Sequence, residues 1–153
     1  MVDDVDYNQL NKLNWFAVYD KKTKTWRAKR VCYCWLNKKR YVVQMARQII
    51  DAPRSCNVDQ RNHNTLDNQK KNLRICTVAD NVRNRKMTMK KTSKHKGVHF
   101  LGRWNKWRAR IGFNGKRIHL GYFFNEDDAG RAYDVAAKRY YGEFAYLNLP
   151  PIA

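Results

Sequence analysis

Two groups of residues in this chain have types and spacings suited to chemistry. The first lies between Cys56 and Asn81, where six Asn fall within 26 residues, mixed with Asp59, Asp67, Asp80 and His63. That bias is too strong for an element that only packs. Two readings stand at this level: a polar constellation that does chemistry, or a loop in which segments such as Asn64 to Asn68 bond side chains to their own backbone. The second group lies in Trp107-Arg-Ala-Arg-Ile111 and Arg117-Ile-His-Leu120. Alternation puts Trp107, Ala109 and Ile111 on one side of a strand and Arg108 and Arg110 on the other. It likewise sets Ile118 and Leu120 against Arg117 and His119. A row of cations on one sheet face suits the recognition of a polyanion.

The elements that must position these groups follow from local patterns. Gly97 to Phe100, Trp107 to Ile111 and Arg117 to Leu120 read as three short strands, with Asn114-Gly115 as the hairpin turn, since both residues tolerate positive φ. A helix follows: Asn125 caps it, Asp127 and Asp128 complement its dipole, and Ala129, Ala132, Tyr133, Ala136, Ala137 and Tyr140 form one stripe before Gly142 stops it. A three-stranded sheet needs one face covered, so the helix is expected over Trp107 and Ile111, leaving the arginine face free. Upstream, Trp15 to Tyr19, Thr25 to Tyr33 and Lys39 to Val43 read as strands joined by the charged turn Asp20 to Lys24, with a short helix or turn from Met45 to Ile50. Trp26-Arg-Ala-Lys29 echoes Trp107-Arg-Ala-Arg110, which suggests a second sheet of similar design. The expected class is α+β, with a unit over residues 1–85, a basic linker over 86–93 containing Lys90 and Lys91, and a second unit over 94–150.

Composition narrows the function. The chain carries 32 Lys+Arg against 13 Asp+Glu, a net charge of +19 over 153 residues. The charge is spread: residues 1–53 hold 11 basic and 5 acidic side chains, 54–92 hold 10 and 3, and 93–153 hold 11 and 5. A neutral metabolic domain is a poor fit, and five Trp and nine Tyr argue against a solvated tail. No run approaches the roughly 18 apolar residues of a spanning helix, and the acidic start Asp3, Asp4, Asp6 is unlike a targeting segment. A soluble, cytoplasmic protein is expected, in contact with neither membrane nor small-molecule substrate. The four Cys form no C-x-x-C pair, so reduced thiols are expected and no zinc.

The order of residues in the first group adds a resemblance. Val58-Asp59-Gln60, then Asn62-x-Asn64-x-Leu66-Asp67-Asn68, then Asn72-Leu73-Arg74, then Asn81 on a helix that Thr77 can cap, resembles the HNH nuclease family of the ββα-metal type, over roughly residues 15–85. The resemblance implies that Asp59 and Asn81 hold one divalent cation, Mg²⁺ or Mn²⁺, which neutralises charge on a scissile phosphate, and that Asn72 orients the general base. The sequence departs from that pattern where the family has Asp-His, because Gln60 follows Asp59. A carboxamide has no basic pKa near neutrality, and loss of a general base typically costs about 10²- to 10⁴-fold in rate. Ala46 stands where many relatives carry a second His, and His63 is the imidazole nearby that could substitute as base.

The second group carries another resemblance. Lys96-Gly97-Val98, Trp104-Asn-Lys106-Trp107, Ala109-x-Ile111, Leu120-Gly121-x-Phe123, Arg131-Ala-Tyr-Asp134, Gly142 and Leu147-Asn148-x-Pro150 are similar to the Apetala-two/ethylene-response-factor DNA-binding domain. By position, Lys96, His99, Arg103, Trp104, Arg110, Arg117 and His119 become the DNA-facing set, with the sheet in the major groove. Arg110 stands where a Glu is usual, Gly112 where an Arg is usual and His119 where a Trp is usual, so base readout is altered. Together the two segments resemble a homing endonuclease of phages and bacteria. The implied partner is duplex DNA, bound by a monomer, with nicking or cleavage weakened or abolished by Gln60. A DNA-binding regulator without nuclease activity, or a structural RNA-binding protein suggested by charge alone, are the alternatives.

Overall fold

The computed structural model describes residues 1–21, 23–85 and 92–150. The fold is α+β, with three antiparallel sheets and four α-helices among the described residues. The chain divides into two compact units, Met1–Asn81 and Val82–Ala153. Most of the expected basic linker, including Lys90 and Lys91, lies outside the described residues.

The first unit opens with helix α1, Asp4–Leu10, which the sequence pattern did not announce. Its acidic first turn is put to use, for Asp3 Oδ2 accepts the Lys70 amide at 2.7 Å and Asp6 Oδ1 meets Lys70 Nζ at 2.9 Å. The strands β1 (Phe16–Asp20), β2 (Thr25–Cys34) and β3 (Lys39–Gln44) form an antiparallel meander in that order. The register places Val18 opposite Arg27 and Val31 opposite Val42. Asp20 holds the charged turn by accepting the Thr23 amide at 3.2 Å. Helix α2, Met45–Ile49, follows β3 directly, and Gln48 Oε1 accepts Arg30 Nε at 2.9 Å, so α2 lies on the face of β2 that bears Arg30. Then come β4 (Asn57–Gln60), β5 (Leu73–Cys76) and α3 (Val78–Asn84), whose residues from Val82 on belong to the second unit, with Asp59 opposite Arg74 and Gln60 opposite Leu73. Thr77 caps α3 as expected, accepting the Asp80 amide at 3.1 Å, and Asp80 Oδ2 reaches back to the Thr77 amide at 3.3 Å.

In the second unit β6 (Val98–Leu101), β7 (Lys106–Phe113) and β8 (Lys116–Phe123) form another three-stranded antiparallel sheet in chain order. Asn114 and Gly115 make the β7–β8 turn with φ of 48° and 73°. Beyond the hairpin the register slips between Ala109 and Arg110, because Ala109 faces Gly121 while Arg110 faces His119, leaving Leu120 as the extra residue of a bulge. Helix α4, Glu126–Tyr141, begins where Asn125 Oδ1 accepts the Asp127 amide at 2.7 Å and ends at Gly142. Val98, Ala109 and Ala129 make one core cluster, and Ile111, Tyr133, Ala136 and Ala137 the other. The segment before β6 is clamped to the start of α4: Ser93 Oγ donates to Glu126 at 2.6 Å, and buried His95 meets Asp127 through Nε2 at 2.7 Å. The His95 bond first, and then that of Lys94 Nζ to the same Asp127 Oδ1 at 2.9 Å, hold the Asp127 carboxyl below its usual range.

Gly97 is where this packing leaves no room for a side chain. Its φ is +80°, and a Cβ there would lie 2.1 Å from the Tyr133 ring and 2.7 Å from the Arg110 carbonyl oxygen. Gly97→Ala should therefore destabilise the second unit by about 2–5 kcal/mol, the sum of a positive-φ penalty and overpacking, measured by chemical denaturation.

Candidate nucleic-acid interface and ββα site

The outer face of the second sheet is built by alternation. On β7, Arg108 and Arg110 point away from α4, since Ala109 and Ile111 between and beyond them are buried beneath it. The register sets His99 and Tyr122 on either side of Arg108, His119 beside Arg110 and Arg117 beside Gly112. Arg110 Nη2 lies 3.2 Å from His99 Nε2, and the His119 and Tyr122 rings are 4.5 Å apart. None of the three strands contains an Asp or Glu. Desolvation, then the nearby charges of Arg108 and Arg117, hold Arg110 below the ordinary guanidinium range. Arg108 Nε is buried with no hydrogen-bond partner. The face is thus a cluster of cations that repel one another, and an anion is the ligand that relieves it.

The expected DNA-facing residues separate into two places. His99, Arg110, Arg117 and His119 share this face, and Trp104, on the single helical turn Gly102–Trp104 with Arg103, packs edge-on to Tyr122 at 5.7 Å while 56% exposed. Lys96 stands elsewhere. Its Nζ sits at the C-terminal end of α3, donating to the carbonyls of Arg83 at 2.5 Å and Arg85 at 3.0 Å. Burial, then the charge of Arg85, pulls the Lys96 ammonium down to about 8. Arg108 and Tyr122 join the face although the family pattern carried over by position did not include them. The signal for Arg108 was available in the strict alternation of β7, whereas Tyr122 comes opposite it only through the bulge at Leu120.

The ββα site is built from β4, β5 and the loop between them. Much of the loop's polarity is turned inward. Asn72, buried, accepts the Asn62 amide on Oδ1 at 3.0 Å and donates from Nδ2 to the Asp67 carbonyl at 2.8 Å. Asn62 Nδ2 donates to Asp67 Oδ2 at 2.7 Å, Asn62 Oδ1 accepts the Asn64 amide at 2.9 Å, and Asn64 Oδ1 accepts the Leu66 amide at 3.1 Å. The loop reading of this segment therefore describes what Asn62, Asn64, Asp67 and Asn72 do. Gln60 is buried at the end of β4, and His63 follows it in the turn with φ of 62°, its amide donating to the Gln60 carbonyl at 3.1 Å. Ala46 is buried in α2. Asn81 lies on α3, where its amide donates to the Thr77 carbonyl at 3.1 Å.

Asp59 is engaged by a cation of the chain itself. Arg74, directly opposite, donates Nε at 2.8 Å and Nη2 at 2.6 Å to Asp59 Oδ2, and both residues are buried. Among the described residues no three His, Cys, Asp or Glu side chains come together as a metal-binding group. A divalent ion at Asp59 would have to share the carboxylate with a buried guanidinium or displace it. Neighbouring Cys76 is pushed up to about 11 by burial and then by Asp59, so its thiol stays protonated at neutral pH.

Two outcomes are expected from this geometry. Asp59→Ala strips Arg74 of its buried carboxylate and should cost about 3–5 kcal/mol in denaturant unfolding, while Mg²⁺ or Mn²⁺ leaves the melting temperature of the unmodified chain unchanged. Lys96→Ala should lower stability by about 1–3 kcal/mol, by leaving helix-end carbonyls unsatisfied, without altering the salt dependence of nucleic-acid binding.

No protein-family model matches the chain. It is similar to dehydration-responsive element-binding protein 2C of Arabidopsis thaliana, with 50% identity over 52 residues, 33% of this chain and 15% of that protein. It is similar, at 36% identity over 70 residues, to an AP2-like ethylene-responsive transcription factor of the same plant, covering 39% of this chain and 20% of the relative. An uncharacterized HNH endonuclease of Acanthamoeba polyphaga mimivirus is 31% identical over 96 residues, 63% of this chain and 49% of that protein. The chain thus matches at most about half the length of these relatives, and both resemblances read from the residues have a counterpart among known proteins.

Proposed function

We propose that this chain binds duplex DNA, with the face of β6, β7 and β8 choosing the site and the ββα unit serving as a DNA-contacting fold in which cleavage is weakened or lost. The observation that carries the reading is the acid-free face of Arg108, Arg110, Arg117, His99 and His119, held rigid by α4. Arg side chains pair bidentately with guanine O6 and N7 or with phosphate, while Trp104 packs on a sugar. The likeness to plant proteins named as element-binding and transcription factors supports duplex DNA as the partner. Lys96, spent on α3 carbonyls, has a positioning role in this reading, and Arg103 and Trp104 flank the sheet face.

A second reading, metal-dependent hydrolysis of phosphodiesters, is favoured by the likeness to the viral HNH endonuclease. Against it stand the amide at Gln60 and the Arg74 guanidinium on Asp59. In that reading Asp59 and Asn81 are the metal residues and His63 or a restored His at position 60 the base.

Selection from a random duplex library should return a motif, and Arg110→Ala and Arg117→Ala should each relax it by about 1–3 kcal/mol at particular positions. A library that returns no motif, or structured RNA outcompeting duplex DNA, would sink the site-choosing role. Supercoiled plasmid with Mg²⁺ or Mn²⁺ should stay uncut by the unmodified chain; nicking by that chain would establish the second reading, and nicking gained by Gln60→His would show that the missing imidazole alone silenced it.

A further inference from the structure

The first sheet repeats the strand order and the alternation of the second, although Trp26 is half exposed where Trp107 packs on the core. We infer that the outer face of the first sheet is a separate surface for the sugar-phosphate backbone of duplex DNA, gripped by Arg27, Lys29 and Arg40. The inference rests on duplex DNA being the partner but uses a different face in a different unit. Trp26-Arg-Ala-Lys29 and Trp107-Arg-Ala-Arg110 both lie on the central strand of a three-stranded antiparallel meander. In both, the two cations are i and i+2 on one face, and the Trp and Ala point to the other. In the first sheet that other face carries Arg30, which bonds Gln48 of α2, so Arg27 and Lys29 point away from α2.

The register completes the surface. Lys29 lies between Phe16 and Gln44, Arg27 faces Val18, Val31 faces Val42, and Tyr33 faces Arg40. Phe16, Val31, Tyr33 and Val42 are exposed by 45%, 49%, 42% and 63%. Apolar side chains left open in this number mark a surface that meets a partner. An apolar protein partner would desolvate Lys29 and Arg27 at the centre of the face with no counter-charge, which costs several kcal/mol per ion. A nucleic-acid backbone supplies both chemistries: phosphates for the cations and sugar rings for Phe16, Tyr33 and the valines. The one acid on these strands, Asp20, sits at the end of β1 and accepts the Thr23 amide. The pattern also differs from the second sheet in its flanks. Aliphatic and aromatic residues flank the cations where the second sheet has histidines, and packing of these on sugars assigns the face to backbone contact.

The test compares salt dependence and footprint for the full chain. Arg27→Ala/Lys29→Ala should flatten the slope of log affinity against log salt by about 2, since each phosphate contact contributes about 0.9 on duplex DNA, and should shorten the protected stretch while leaving the selected motif unchanged. Arg40→Ala, at an exposed position, should flatten the slope by about 1 and keeps the test decisive if the double variant fails to fold by circular dichroism. An unchanged slope and footprint in well-folded variants overturns the inference. If Arg110→Ala/Arg117→Ala flattens the slope and the first-sheet variants do not, only this surface falls; if neither does, the DNA-binding reading falls with it. Loss confined to single-stranded RNA binding would assign the face to another partner and also overturn the proposal.

Discussion

The cations on the second sheet can stand close together only because the other side of the same strand is fixed. Ala109, Ala129 and Ala137 have no exposed surface, and Val98 has almost none. Single methyl groups at these crossings let α4 lie close on β6 and β7, and Tyr133 closes the space above Gly97. Each inward residue that is locked in place also locks its outward neighbour, because alternation makes the two one rigid piece of backbone. Repulsion among Arg108, Arg110 and Arg117 would otherwise spread the side chains or twist the hairpin. The fold holds that repulsion, and a bound anion would relieve it.

The ββα unit uses its charges the other way. Arg74 and Asp59 neutralise each other in the interior, and Asn62, Asp67 and Asn72 satisfy the loop between their strands. Every such bond secures the loop without a ligand and also removes a donor or acceptor from the set available to one. Breaking a buried pair by removing one partner is costly, which ties Asp59 to its present place. A carboxylate held in this manner is a structural residue first. The same local sequence that resembles a metal loop is therefore compatible with a loop that keeps its shape by itself.

How far the residues foretold this depends on the range of the interactions. Asn114-Gly115, the Asn125 cap, the Ala and Tyr stripe of α4, the Thr77 cap and the two meanders were legible, because each rests on contacts a few residues apart or on strict alternation. Helix α1 was not, for seven residues carry too short a period, and its acids are explained only by Lys70, more than sixty positions away. The place of Lys96 depends on where the end of α3 lies. The pairing of Arg74 with Asp59 needed the β4–β5 register, which no pattern within either strand reveals. Leu120 shows the limit of alternation itself, because one bulged residue shifts every partner beyond it.

The even spread of charge along the chain has a physical basis in the strands. In a helix a row of cations three or four apart sits beside its own neighbours on a curved surface, whereas a strand places i and i+2 cations about 6.6 Å apart on a flat face. Duplex DNA likewise presents a regular row of negative charges along each strand. Arg27 with Lys29 and Arg108 with Arg110 both have the i, i+2 spacing; behind the second pair Ala109 is buried and Trp107 packs on the core, whereas behind the first Trp26 stays half exposed. Two residue types per strand face are enough to specify it: small or aromatic inward, cationic outward. Where the inward side chains are buried, as Ala109 is, one short alternating segment serves both the core and the charged face.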